Sequence, residues 1–127
     1  MNSLIIAKGS RESGNPVPAL NPVPLPDTFK IQAAVALSTT AAEVWAAATG
    51  RRIRLLGGVV TVSSAAVLIL QDNAGTPAVK YRVELAAGVP HMFDLGFGQL
   101  LDSGLKLDAK VATGTATLNG TLWGTWE

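Results

Sequence analysis

The chain has 127 residues, enough for one ordinary domain but not for two once its first 27 residues are set aside. Hydrophobic residues make up 48% and charged residues 15%, with a net charge of +1, so a core fills easily and the near-neutral balance argues against a general binder of nucleic acid or anionic membrane. There are no cysteines, which excludes disulfides and thiolate metal sites.

The apolar run Leu4-Ile5-Ile6 is too short for a signal peptide, and Lys8 follows it instead of preceding it, so no secretory leader is expected. Residues 15–26, NPVPALNPVPLP, write almost the same six residues twice and hold five prolines. Proline holds φ near about −65° and pushes the residue before it into extended geometry. The segment therefore predicts a polyproline-like rod, about 37 Å long at roughly 3.1 Å per residue. Residues 1–27 read as an extended N-terminal arm that lies in a groove on another subunit. Its partner-binding side chains are Leu4, Ile5 and Ile6 at the tip, and Val17, Leu20, Val23 and Leu25 between the prolines. Pro16, Pro18, Pro22, Pro24 and Pro26 lower the entropy lost on docking, because the undocked chain is already extended. A plain linker, or an arm folded back on its own domain, stays open as an alternative.

Residues 28–127 read as strands. In VKYRVEL, Val79, Tyr81, Val83 and Leu85 oppose Lys80, Arg82 and Glu84; in LKLDAKV, Leu105, Leu107, Ala109 and Val111 oppose Lys106, Asp108 and Lys110. This period of two marks a half-buried strand. FKIQAAVAL puts Phe29, Ile31, Ala33, Val35 and Leu37 on one expected core face, and the last run sets Leu118, Leu122 and Trp126 against Thr117, Thr121 and Trp123. Trp123 and Trp126 thus cannot share one flat platform; one belongs to the core and the other to an interface. Gly57-Gly58 implies a bulge or bend in its strand. Asn73 to Gly75, Gly88, Gly96 to Gly98, Gly104 and Gly114 mark turns. TTAAEVWAAAT competes as a short helix, but Val44, Trp45 and the Gly50 turn favour a strand.

The expected strands are 28–37, 42–48, 51–62, 65–71, 78–86, 89–95, 104–112 and 115–126. Eight short strands at this spacing predict an all-β fold, a single jelly-roll-like β-sandwich behind an extended proline-rich arm. Exposed sheet edges are a hazard in so neutral a chain, and are expected to be covered by another copy or a partner. The longest apolar stretch, residues 59–70, is too short and too interrupted for a membrane helix, so a soluble protein is expected.

Chemistry-bearing residues are sparse. His91 is the single histidine, and Asp94, three positions on, falls on the other face of a strand. Neither a catalytic pair nor a metal set results, and Asp72-Asn73 lacks the alternating oxygens of a calcium loop. The sequence therefore predicts no enzyme, no catalytic residue, no metal, no cofactor and no small-molecule substrate. Arg51, Arg52 and Arg54 form the basic cluster; it reads as a solvated strand face or, through Arg52 and Arg54, a contact to an acidic partner surface.

The stretch ATGRRIRLLGGVVTVSSAAVLILQD, the turn LAAGVPHMFDLGFGQLL and the closing SGLKLDAKVATGTATLNGTLWGTW resemble small β-sandwich virion proteins of tailed bacteriophages, over residues 48–126. The resemblance implies a structural virion role, most specifically a head decoration, or capsid cement, protein. Such a protein forms homotrimers on the capsid exterior, is made in the host cytoplasm, and binds the major capsid protein with its arm. No catalytic residues come with the family. The alternatives are a tail- or fibre-associated sandwich that recognises host glycan, and a neck or tail connector.

Overall fold

The computed structural model describes residues 24–127. The strands are β1 (Thr28–Leu37), β2 (Ala42–Trp45), β3 (Ile53–Val62), β4 (Ala66–Asp72), β5 (Val79–Leu85), β6 (His91–Leu100), β7 (Leu107–Val111) and β8 (Ala116–Trp126). They form two four-stranded antiparallel sheets, β1-β8-β3-β6 and β2-β7-β4-β5, and the described residues contain no helix. Among the ladders, β1 pairs with β8, β2 with β7, β3 with β6 and β4 with β5. The topology is that of one long hairpin, with β4 and β5 at its tip, wrapped so that alternate strand pairs fall in different sheets.

The inner faces of both sheets supply one core. Ile53, Leu55, Val60, Val62, Leu118 and Leu122 come from the first sheet; Trp45, Leu68, Leu70, Leu107, Ala109 and Val111 come from the second. Twelve large side chains in this core are almost wholly buried. At about 1.5–3 kcal/mol each, their burial is the main force holding the sheets face to face. The architecture is all-β and sandwich-like. TTAAEVWAAAT contributes β2 and no helix, as the flanking turn implied, although the strand stops at Trp45 and not at residue 48.

Period two governs each strand until a bulge shifts it, and in the sheet β1-β8-β3-β6 bulges in β1, β3 and β6 decide which side chains face out. The first lies in β1, where the register with β8 slips between Gln32 and Val35 and Ala34 takes φ 52°. Asn119 Oδ1 accepts the Ala34 N–H at 2.8 Å and holds the insertion. Val35 and Leu37 point inward as expected, but Phe29, Ile31 and Ala33 do not: all three are exposed, Phe29 by 59% and Ile31 by 79%. Gln32 takes the inner position instead, with its Nε2 donating to Val44 O at 2.9 Å and so tying β1 to β2. The expected single face of β1 was wrong because an inserted residue exchanges the two faces of everything before it.

The second bulge, in β3 between Leu55 and Gly57, matches the bend expected at the glycine pair. The third corrects the turn expected at Gly96 to Gly98. There β6 bulges outward and rejoins the ladder, so that Asp94 lies opposite Gly57 while Gln99 lies opposite Leu55. Asp94 Oδ1 accepts the Gly96 N–H at 2.8 Å, and Gly96 and Gly98 take φ 64° and 88°. The strand therefore continues to Leu100.

The β8 strand sits between β1 and β3 and tolerates no side chain at Gly120. Its φ is 138°, and a Cβ there would overlap the Val59 carbonyl. Gly120→Ala is expected to cost roughly 2–4 kcal/mol, whereas Ala34→Gly, relieving a left-handed alanine, should stabilise by up to about 1 kcal/mol. Urea midpoints at constant slope check both signs.

Candidate interaction surface

Directly opposed residues of an antiparallel ladder project from the same face. On the outer face of β1-β8-β3-β6, Phe29 lies opposite Trp123, Trp123 opposite Gly57, and Gly57 opposite Asp94. One step along the strands, Ile31 lies opposite Thr121, Thr121 opposite Val59, and Val59 opposite Met92. Two rows thus cross all four strands and carry one ionisable group, Asp94 at the border. Phe29, Ile31 and Met92 are more than half exposed. Trp123 is half-buried because its indole lies across Gly57: a Cβ at Gly57 would come within 2.9 Å of Trp123 Nε1. The missing side chain lets the indole lie low on the sheet, so the surface is broad and apolar.

Isolated exposed apolar residues are ordinary, but a contiguous patch marks a surface to be covered. The edges of the sheets are treated differently. β1 and β6 are broken by bulges, β2 has four residues, and β5 carries Lys80, Arg82 and Glu84; these are standard devices against edge pairing. The exposed apolar surface lies on a face, not on an edge where the sequence directed attention.

The three arginines do not form one basic patch. Arg54 makes a two-pronged pair with Glu127, with Nη2 to Oε1 at 3.1 Å, and its Nη1 donates to Phe97 O at 2.9 Å. Arg52 donates from Nε to Leu101 O at 3.2 Å and lies 3.7 Å from Asp102. Arg51 sits over the Trp126 ring, 5.5 Å from its centre. Trp126 in turn meets the buried Trp45 edge-on with centroids 5.9 Å apart. The two tryptophans of β8 thus divide as the sequence predicted, Trp126 against the core and Trp123 on the outer face. Of the arm side chains expected to bind a partner, Pro24 is half-buried, Pro26 is exposed and Leu25 is 83% exposed. Leu4, Ile5, Ile6, Pro16, Val17, Pro18, Leu20, Pro22 and Val23 lie outside the described residues.

His91 is packed into an aromatic stack, not paired with Asp94. Tyr81 Oη and His91 Nε2 are hydrogen-bonded at 2.7 Å, and Tyr81 stacks on Phe93 at 4.3 Å between centroids. The stack closes the side of the core where β5 and β6 meet, and burial pushes the Tyr81 phenol up. A small cup at one end of the sandwich is lined by Ser38, Ser63, Ser64 and Thr115, but Ser63 accepts the Thr117 N–H and Ser64 donates to Thr115 O. Those hydroxyls pin a loop. Among the described residues no group of three metal-ligating side chains is present, and no helix is long and apolar enough to cross a membrane.

Compared with known proteins, the chain matches no family model, no curated protein and no solved structure.

Phe29, Ile31, Val59 and Met92 were not singled out in the sequence as surface residues. The available signal was Gln32, a polar residue in phase with Lys30 and followed by Ala33-Ala34, which fits poorly with a simple inward run through Phe29 and Ile31.

Two carboxylates give the stability opposite pH dependences. Hydrogen bonding to Arg54 holds Glu127 below the usual carboxylate range, so its contribution is present above the unfolded value and disappears as pH falls through the folded one. Desolvation raises Asp108, which is 5% exposed, against the pull of Lys106 at 3.7 Å. Its ionised form therefore costs stability as pH rises through the raised value. Glu127→Gln should lower stability at pH 7 by about 0.5–1 kcal/mol, as befits a partly exposed pair. Asp108→Asn should instead raise the midpoint of thermal unfolding at pH 7, Lys106 keeping Glu43 at 3.8 Å. Both differences should fade in melts below the ordinary carboxylate range.

Proposed function

We propose that this chain is a structural virion protein of a tailed bacteriophage, a jelly-roll sandwich that decorates and stabilises the capsid from outside. The observation that carries the proposal is the apolar outer face of β1-β8-β3-β6, on a chain whose four sheet edges are each blunted. Such a surface suits a protein that works by being covered. The strand order supports the jelly roll, since strands paired as 1 with 8, 2 with 7, 3 with 6 and 4 with 5 in two sheets make the wrapped double Greek key used in capsid and lectin domains. The sequence resemblance over residues 48–126 points the same way.

In this reading the sandwich does no chemistry. Copies assemble, as a homotrimer by the resemblance, and each arm reaches the major capsid protein. Several modest contacts then act together through high effective concentration. Ordering the arm costs roughly 1–2 kcal/mol per residue, less at its prolines, so its apolar side chains must be well buried on the partner.

A glycan-binding module of the tail or fibre is the second reading, favoured by the exposed Phe29 opposite Trp123, since aromatic faces stack on sugars. The two readings separate experimentally. Removal of residues 1–26 should leave a folded sandwich whose binding to expanded heads is weaker by about tenfold or more, measured by co-sedimentation, while Phe29→Ser should leave glycan-array signal at background. Unchanged head binding after truncation would refute the arm, and glycan signal lost in Phe29→Ser would favour the second reading. In an electron-microscopy map of the virion, density for the chain is expected on the outside of the capsid.

A further inference from the structure

We infer that the outer face of β1-β8-β3-β6 is occupied by the proline repeat, residues 15–23, of a second copy of this chain. This goes beyond the virion role, because it assigns the occupant of the apolar face and requires no other protein.

The first argument is the phase of the repeat. A polyproline helix has three residues per turn, and the repeat is six residues long, so successive units superpose after two turns. Val17, Leu20, Val23 and Pro26 then form one stripe, and Pro16, Ala19, Pro22 and Leu25 form a second. The third stripe holds Asn15, Pro18, Asn21 and Pro24. In the geometry its prolines impose, the segment has two apolar sides and one side bearing both asparagines. That is the ligand an apolar, aromatic-bearing sheet face accepts, with the asparagines turned to water; grooves lined by aromatics bind proline-rich segments elsewhere for the same reason.

The second argument is size. Four strands spaced about 4.8 Å apart span roughly 14 Å from β1 to β6, and one six-residue unit is about 19 Å long. One unit is therefore long enough to cross both rows, from Phe29 and Ile31 past Trp123 and Val59 to Met92.

The third argument separates a second copy from the chain's own arm. The described chain enters β1 through Pro24, Leu25, Pro26 and Asp27 with no turn among them, and Asp27 N–H donates to Gly124 O at 3.0 Å, which sets its direction. No reversal toward its own Phe29 takes place within these four residues. Pro24 and Pro26 fix their own φ, and Leu25, preceding a proline, is held extended. The described chain is therefore directed away from its own Phe29, which leaves the face of a neighbouring copy for the repeat. The tip, Leu4 to Ile6, is left for the capsid protein.

The test uses two full-length variants and purified protein alone, so its failure and the failure of the virion role are independent. A face variant carries Phe29→Ser and Ile31→Ser; an arm variant carries Val17→Ser, Leu20→Ser and Val23→Ser. Thermal melts first establish that both fold like the native chain; if Phe29→Ser perturbs the fold, Ile31→Ser alone serves, its side chain being 79% exposed. Sedimentation velocity over a concentration series should show self-association of the native chain, weakened at least about tenfold in each variant. An equimolar mixture should regain mixed pairs, because the intact arm of the face variant meets the intact face of the arm variant. Native association in the arm variant, no recovery on mixing, or a native chain that stays monomeric would each overturn the inference.

Discussion

A strand in a two-sheet protein must divide its side chains between a shared core and an outer face, and one inserted residue exchanges the two sets. That constraint organises this molecule. In β1 the insertion at Ala34 sends Phe29 and Ile31 outward and brings Gln32 in. In β3 the bulge after Leu55 lets Val60 and Val62 continue the core while Val59 faces out. The fold tolerates the strained alanine because Asn119 satisfies its N–H and because Gln32 spends its buried amide on Val44. A buried polar group left without a partner would cost more than the strain it replaces.

The neutral composition gains meaning from this arrangement. With charged residues scarce, the chain cannot rely on repulsion to stay apart from its neighbours, and its edges are shortened, bulged or charged. What remains open is a face with side chains of definite shape, built around an indole lying over a glycine. A shaped face selects partners by complementarity, whereas an open edge accepts any strand. The proposed decoration role and the inferred docking of the proline repeat both draw on that difference. Under these two proposals the arm is divided, the repeat serving contacts among copies and the tip serving the capsid.

Charge has a mostly internal use. Arg54, which in the sequence belonged to a candidate partner-binding pair with Arg52, is clasped by Glu127 and the Phe97 carbonyl. The clasp ties the end of β8 to the β6 bulge, beside the apolar rows. Arg52 reaches Leu101 and Asp102 on the chain that follows β6. These contacts steady the border of the face.

The sequence by itself determined the eight strands, β1 to the residue, because alternation and turn residues are local signals. It also determined the division of Trp123 from Trp126, since parity along an unbroken stretch of strand is local too. Only the tertiary structure decided that Phe29 and Ile31 face outward, that β6 passes through its glycines without ending, and that Arg54 belongs to Glu127. Each of these depends on a residue far away in sequence: Asn119 across the β1 bulge, Leu55 and Gly57 across the β6 bulge, and the last residue of β8's extension for the arginine. A bulge takes its position from the register of the neighbouring strand, and register is not written in either strand alone.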